Sequence, residues 1–345
     1  VAITKTQNYV IAMKEWSTEF FYDVGNATGS PLSPVLSAFT LIGCAAGESV
    51  AELDETVYWI SKARQRGPAV HKMVGLEQQL VSTPDIDRIL ATSDLSSVYA
   101  YGIKISGHSF YVLGLRDIDV TLAFDATSGT WAQWTSLTAQ APKSCTLSQS
   151  GGVATAACTA HGYADGAAVT IAGANESEYN GLHQIRAISA NAFSFSVDSS
   201  ATSPATGTIT ATGYDEGYFL YSHYVAAAGR DLVLHETTGD LVEISPAYYT
   251  DDGVPIALKL RTGKLDGDQE DFKSLGQIRV IGDKQGGEAM LRWSDDDYQT
   301  SSSCRPVDLS SEQARIRRCG AFRRRSFELL HIADLPVQLE SLELG

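Results

Sequence analysis

The residues that could do chemistry are plentiful but scattered. Asp295, Asp296 and Asp297 are three successive carboxylates within SDDDYQTS. Such a cluster could hold calcium, but the string lacks the glycine and distal glutamate of a calcium loop, so a solvated turn is expected. The seven histidines (His71, His108, His161, His183, His223, His235 and His331) form no HExxH and no His-x-His pair. Each is expected to be a strand or turn residue rather than a ligand. The five cysteines (Cys44, Cys145, Cys158, Cys304 and Cys319) lack metal-type spacing and do not read as a disulfide framework. Tyrosine and glutamate abound, yet the spacing does not bring together the positioned acids that glycoside hydrolysis needs. No GxSxG, P-loop or dinucleotide fingerprint is present. The expectation is a chain with no catalytic residue, no cofactor and no metal.

The elements that would position any site are strands. At 345 residues the chain can bury a sizeable core and has room for two domains. Its 30 glycines, 15 tyrosines and many threonines and serines favour pleated structure. The formal charge of −15 repels phosphates and disfavours sequence-specific nucleic-acid binding. Against that balance, Arg315, Arg317, Arg318, Arg323, Arg324 and Arg325 gather late in the chain. They are expected on a solvated or salt-bridged strand face or at a subunit contact. No apolar run approaches the roughly 18 residues of a membrane span. The opening VAITKTQNYVIAM is neither a signal peptide nor a natural initiation, so Val1 is expected to lie inside a longer polypeptide. Asn26-Ala27-Thr28 and Asn175-Glu176-Ser177 fit the glycosylation triplet and are expected to be chance matches.

Along the chain, alternating segments follow one another. VAITKTQNYVIAM reads as a strand, and TVYWISKARQRGPAVHKMV as two strands joined across Arg66-Gly67-Pro68. STPDIDRILATSD is the one convincing helix: Ser82 or Thr83 caps it, Pro84 suits its first position, and Ile86, Ile89 and Leu90 make its apolar stripe. SVYAYGIKI, SFYVLGL and DVTLAFDATSGTWAQW then give four short strands with turns between them. DATSGTWAQW and ETTGDLVEI form a weak internal repeat. Repetition of a blade-sized unit favours a propeller over a sandwich.

From about Ala141 to Gly213 the composition changes to Ala, Thr, Ser and Gly, with Lys143 and Arg186 the only basic residues. Six short strands are read there, which amounts to a small β-sandwich, Ig-like, or an open barrel, inserted in a loop. If Gly151-Gly152 is a two-residue turn, Cys145 and Cys158 face each other across paired strands, either as small apolar neighbours or as a disulfide. The chain is thus expected to be all-β: a propeller-like host over 1–140 and 214–345, with an inserted module at 141–213.

Two resemblances add to this reading. SDDDYQTS resembles the Asp-box turn of sialidases and other propellers: Ser294, Asp296 and Thr300 match, while Tyr298 stands at the glycine position and Ser301 at the tryptophan position. That box is a structural motif facing away from the active site even in the enzymes. The host segments VYWISKARQRGPAVHKM, VSTPDIDRIL, GHSFYVLGLRDIDVTLAFDATSGTWAQW, LRWSDDDYQTSSSCRPVDLS and CGAFRRRSFELLHI, taken in order, resemble the tail-nozzle or packaged-DNA stabilisation proteins of short-tailed bacteriophages. Cys319 stands where leucine is usual. The 141–213 segment resembles a β-module of phage structural proteins through His161-Gly162-Tyr163, Gly166 and Glu178-Tyr179-Asn180-Gly181.

The resemblance implies a virion protein of the phage tail, assembled in the host cytoplasm as a homo-oligomeric ring, typically of six subunits. The ring would sit below the portal and adaptor and contact other tail proteins. Its channel would retain and then conduct packaged DNA without sequence-specific binding. An acidic channel wall would let DNA slide, since fixed cations would bind phosphate. The rival reading is a propeller that binds or cleaves host-surface glycans, with Trp131, Trp134, Tyr218, Tyr221 and Tyr224 as sugar-stacking candidates.

Overall fold

The computed structural model describes residues 2–345 apart from 7, 27 and 270; the triplet at Asn26 therefore lies partly outside the described residues. The chain is all-β, and Pro84–Leu90 is its one α-helix among the described residues. Two compact units are formed, Val1–Ser136 with Gly217–Ala247, and Leu137–Glu216 with Tyr248–Gly345. Residues 217–247 thus pack with the first unit, while 248–345 pack with the segment that contains 141–213.

The first unit is a succession of antiparallel sheets in chain order. Ala2–Thr6, Tyr9–Met13, Thr18–Asp23 and Leu32–Pro34 make the first sheet. VAITKTQNYVIAM is therefore two paired strands rather than one, and the aromatic run after Trp16 is a third. In the second sheet Gly43–Cys44 and Ala51–Leu53 both pair with Thr56–Ala63, followed by Arg66–Val74 and Glu77–Leu80. The third is Val98–Ile105, His108–Leu115, Val120–Asp125 and Thr130–Ala139, and the fourth is Tyr221–Ala227, Arg230–His235 and Leu241–Glu243.

Alternation along the strands explains how these sheets are held. Trp59, Val57 and Met73 pack on Ile11, Met13 and Phe20 of the first sheet. Their neighbours Tyr58, Ile60 and Val70 point the other way, onto Val98, Tyr111, Leu113 and Leu122 of the third. Tyr99, Tyr101, Ile103 and Val112 then leave the third sheet toward Tyr218, Tyr224 and Ile244. The central sheets are buried on both faces, which is why TVYWIS reads as an almost continuous apolar run. The helix seals the second of these cores with Ile86 and Leu90; Thr83 accepts the Ile86 amide at its amino end.

Two turns differ from expectation. The strands of TVYWISKARQRGPAVHKMV are joined at Arg64-Gln65, and Gly67-Pro68 fall within the returning strand. The register slips between Ser61 and Ala63, so Pro68 lies opposite an irregularity where its missing N–H breaks no ladder. The repeat is real but offset by one residue. In DATSG the Asp125 carboxylate accepts the Thr127 amide at 2.9 Å and the Gly129 amide reaches the Asp125 carbonyl at 2.8 Å. In HETTG, His235 Nδ1 accepts the Thr237 amide at 3.3 Å and Gly239 reaches the His235 carbonyl at 2.9 Å. His235, not Glu236, is the counterpart of Asp125.

In the second unit, Thr146–Ser150, Val153–Ala157, Ala192–Ser196 and Arg186–Ser189 form one sheet. Ala168–Ala174 pairs with Gly181–Gln184 on one side and with Gly207–Tyr218 on the other, forming a second sheet. One apolar core joins the two sheets, through Leu147, Ile171, Tyr179, Ile185, Phe193 and Ile209. LHQIRAIS is two strands, because the chain passes between the sheets at the fully buried Ile185. Gly151 and Gly152 do form the two-residue turn, both at positive φ. The rest of the unit includes a sheet of Ala257–Arg261, Ser326–Ile332, Glu288–Ser294 and Arg305–Asp308, and another of Arg315–Arg317, Gln277–Gly282 and Leu339–Leu344. Their shared core includes Ile278, Leu291, Val307, Ile316 and Leu329.

Candidate functional site

The three consecutive carboxylates are each already occupied. Asp295 takes both arms of the buried Arg325 guanidinium at 2.7 and 2.8 Å, and Asp297 meets Arg324 at 3.0 Å. Asp296 accepts the Thr300 hydroxyl at 2.6 Å, the Thr300 amide at 2.8 Å and the Ser294 hydroxyl at 2.8 Å. Ser294 Oγ in turn accepts the Tyr298 amide at 2.8 Å. This is a side-chain-stapled turn in which Asp297 and Tyr298 adopt left-handed φ of 58° and 66°. Glycine would adopt the Tyr298 conformation without strain; here the tyrosine hydroxyl offsets the cost by reaching the Thr262 and Phe327 carbonyls at 3.0 and 2.8 Å. The turn is solvated, as expected, but it is also braced, and part of the late arginine cluster is its brace.

The Thr300 hydroxyl and amide and Ser294 hold the Asp296 carboxyl down at about 2, against its ordinary 3.8. A carboxylate held low in the folded state stabilises the fold above about pH 4, and that contribution fades as pH falls toward 2. Asp296→Asn is therefore expected to flatten the acid limb of the stability curve between pH 4 and 2. Denaturant titrations of both proteins across that range check this, and parallel limbs would refute it.

Beside this turn lies a charged cluster that sequence spacing did not find. Glu328 is 1% exposed and accepts from Arg261 Nε at 2.5 Å and from Arg292 Nε at 2.7 Å. Burial pushes its carboxyl up, but the hydrogen bonds and charge of the two arginines outweigh this and hold it low. Tyr298, Glu328 and two arginines are the residue types of a glycoside-cleaving centre, yet the tyrosine hydroxyl is committed to main-chain carbonyls and the carboxylate is closed off from solvent. The cluster ties strands together. Its signal in the sequence is one acid inside the apolar run SFELLHI, with partners more than thirty residues away.

Other pairs with catalytic residue types are likewise committed to partners within the fold. Ser61 Oγ and His71 Nδ1 are 2.8 Å apart, but both side chains are buried between paired strands. His108 Nδ1 and Ser128 Oγ both bond the Asp125 carboxylate, at 2.8 and 2.7 Å, so the serine contacts the acid rather than the base. All five cysteines are free and buried. Burial pushes the Cys44 and Cys145 thiols up to about 11 and Cys304 to about 12, which leaves them protonated at neutral pH. Among the described residues, no group of three or more His, Cys, Asp or Glu is placed to hold a metal ion, and no helix is long and apolar enough to cross a membrane.

The five aromatic candidates for sugar stacking lie in or against cores. Tyr221 is buried, and Trp134, Tyr218 and Tyr224 pack on the core that holds Tyr99 and Tyr101. Trp131 packs on the core between the second and third sheets. Tyr218 bonds the Tyr99 hydroxyl at 2.9 Å, Tyr101 stacks on Tyr224 at 6.2 Å, and Trp134 meets Phe219 edge-on at 5.3 Å.

The recurrent residues of the 141–213 segment prove structural. His161 Nδ1 accepts the Tyr163 amide, and Tyr163 donates to the Ala211 carbonyl at 2.8 Å. Tyr179 is fully buried and donates to the Thr202 carbonyl, while the Asn180 amide brackets both main-chain groups of Ala174. Gly166 has φ +82°, and a Cβ there would fall 2.7 Å from Leu330 and 2.8 Å from Cys304 Sγ.

Each of these clusters braces the all-β scaffold. Residues 1–147 are similar to a phage-stabilisation family, matching the family model described as "Bacteriophage P22 Gp10, beta-propeller". This match supports a phage structural protein and agrees with the sheet succession of the first unit. No curated protein matches the chain. Similar solved structures include a Phage phi92 endosialidase, at 13% identity over 76% of this chain and 46% of that one with a TM-score of 0.20. A glycoside hydrolase is 8% identical over 100% of this chain and 96% of that one, with a TM-score of 0.18. The chain spans under half the length of the first, and overlaps this weak say nothing of activity.

Proposed function

We propose that the chain is a structural subunit of a phage tail nozzle, assembling as a ring, of six copies by resemblance, beneath the portal and adaptor. The observation that carries this reading is the match of residues 1–147 to the phage-stabilisation family. The bracing contacts made by each catalytic-looking cluster support a scaffolding role. In this reading packaged DNA rests in, and later leaves through, a channel whose wall repels phosphate, in keeping with the charge of −15. Residues 141–213 act as an inserted module decorating the ring, a boundary supported by a core drawn wholly from within the segment. Negative-stain imaging followed by cryo-EM of the purified protein tests the proposal. The expected result is a closed ring with an acidic lumen; a chain that stays monomeric at high concentration would refute the ring, and a strongly basic lumen the sliding wall.

A further inference from the structure

Among the described residues, the second unit carries two charged features that are left partly unpaired within the chain. One is an open groove of about 420 Å³ in whose lining Glu178, Asp198 and Glu288 stand with no lysine or arginine. Among the described residues none of the three makes an ion pair; the Asp198 carboxylate accepts from Ser200 and the Glu178 carboxylate from Ser177. The walls include Leu182, Val197 and Ile332. Gln184 also lines the groove: it is 9% exposed, its amide nitrogen donates to the Gly166 carbonyl, and its buried Oε1 accepts from nothing among the described residues, so a donor entering the groove would reach it only if the side chain turned outward. Burial pushes the His183 imidazole down, so this lining histidine is neutral at pH 7 and does not offset the carboxylates.

The other feature is the late arginine segment. Residues 305–325 contain seven arginines against Asp308 and Glu312, a local excess of five positive charges in a chain of net −15. Arg305, Arg324 and Arg325 are held by partners already within the fold. Arg317, Arg318 and Arg323 are exposed and meet no carboxylate among the described residues. Arg323 lies over the ring of Phe272, 4.8 Å from its centroid, and that ring is 70% exposed.

The groove has what a guanidinium on a methylene stem requires: carboxylates for its donors, with aliphatic walls for its stem. We infer that the groove receives Arg317, Arg318 and Arg323 of a second copy of this chain. Because the two surfaces differ, the contact is heterologous, running head to tail, and such contacts build a ring where the rotation between copies closes and an open filament where it does not. The inference deepens the ring reading and assigns the interface on which it would rest. Opposite charges so placed also set register and speed encounter, which makes assembly sensitive to salt.

Charge reversal on each side tests it with the full chain, by light scattering and sedimentation. R317E/R318E/R323E and E178K/D198K/E288K are each expected to weaken self-association at least tenfold. An equimolar mixture is expected to restore it, since each reversed surface then meets its complement on the other variant. Restoration also shows that both variants are folded. If both variants assemble as tightly as the unaltered chain, the interface lies elsewhere and the ring reading survives. If neither the mixture nor salt changes anything after each variant alone has weakened assembly, the arginine-groove pairing is wrong. If the unaltered chain is monomeric throughout, both readings fall.

Discussion

Trp59→Ala is expected to destabilise the first unit by about 3–5 kcal/mol, as truncation of a fully buried large aromatic does. The indole is 0% exposed and fills the space between the first and second sheets with Ile11, Met13, Phe20 and Met73. Its Nε1–H donates to the Gly43 carbonyl at 3.1 Å, so truncation also leaves a main-chain acceptor without its donor. Neighbouring strands cannot close over the gap, since the adjacent residues Tyr58 and Ile60 are engaged on the opposite face. In a unit of this size each kcal/mol moves the midpoint by about 2–4 °C, so a fall of about 10 °C is expected. Thermal and denaturant unfolding followed by near-UV circular dichroism measure this; a loss under about 1 kcal/mol would show that Trp59 does not hold the two sheets together.

Glu328→Gln should cost about 3 kcal/mol, with the loss confined to the second unit. The substitution preserves shape and removes charge, leaving Arg292, whose side chain is 21% exposed, with no carboxylate. Breaking a buried pair from one side is costly because the remaining charge stays desolvated. The figure sits at the low end of that range, since Arg261 is 52% exposed and can turn to water. The double variant Glu328→Leu with Arg292→Met should recover most of the loss, because replacing both partners leaves no buried charge. Chemical denaturation of the two variants decides the matter: equal losses in both would mean that packing, not charge, is what Glu328 supplies. The Glu328 contribution is present above the ordinary carboxylate range and is lost as the pH falls below it, because its folded-state carboxyl is held low.

Much of the first unit was legible because its signals are local. A cap before Pro84, a two-residue turn at Ser106-Gly107 and strands of about eight residues each follow from neighbouring side chains and backbone preferences. The staple linking Ser294, Asp296, Tyr298 and Thr300 was legible for the same reason, since its hydrogen bonds span no more than four residues. What escaped was long-range. Nothing near Glu328 announces Arg261 or Arg292, and nothing near Asp295 announces that Arg325 will close onto it. The join at Arg64-Gln65 was missed because Gly67-Pro68 looks like a turn, and the slip in register accommodates the proline inside a strand instead. The aromatic residues at 131, 134, 218, 221 and 224 suit a binding platform as well as a core, and only the pairing of distant strands separates the two.

Among the described residues, separate apolar layers join each sheet of the first unit to its sequence neighbours, and this gives the unit the energetics of a short linear array. In such an array stability is the sum of each member's own worth and of its interfaces, and loss spreads from one end rather than everywhere at once. The first sheet, with Ile3 79% exposed on one edge strand, has a sheet neighbour through a single layer, whereas the third is gripped on both sides. Opening therefore begins at the first sheet while the tyrosine layer at the far end stays closed, so the molecule can loosen one face without surrendering its fold.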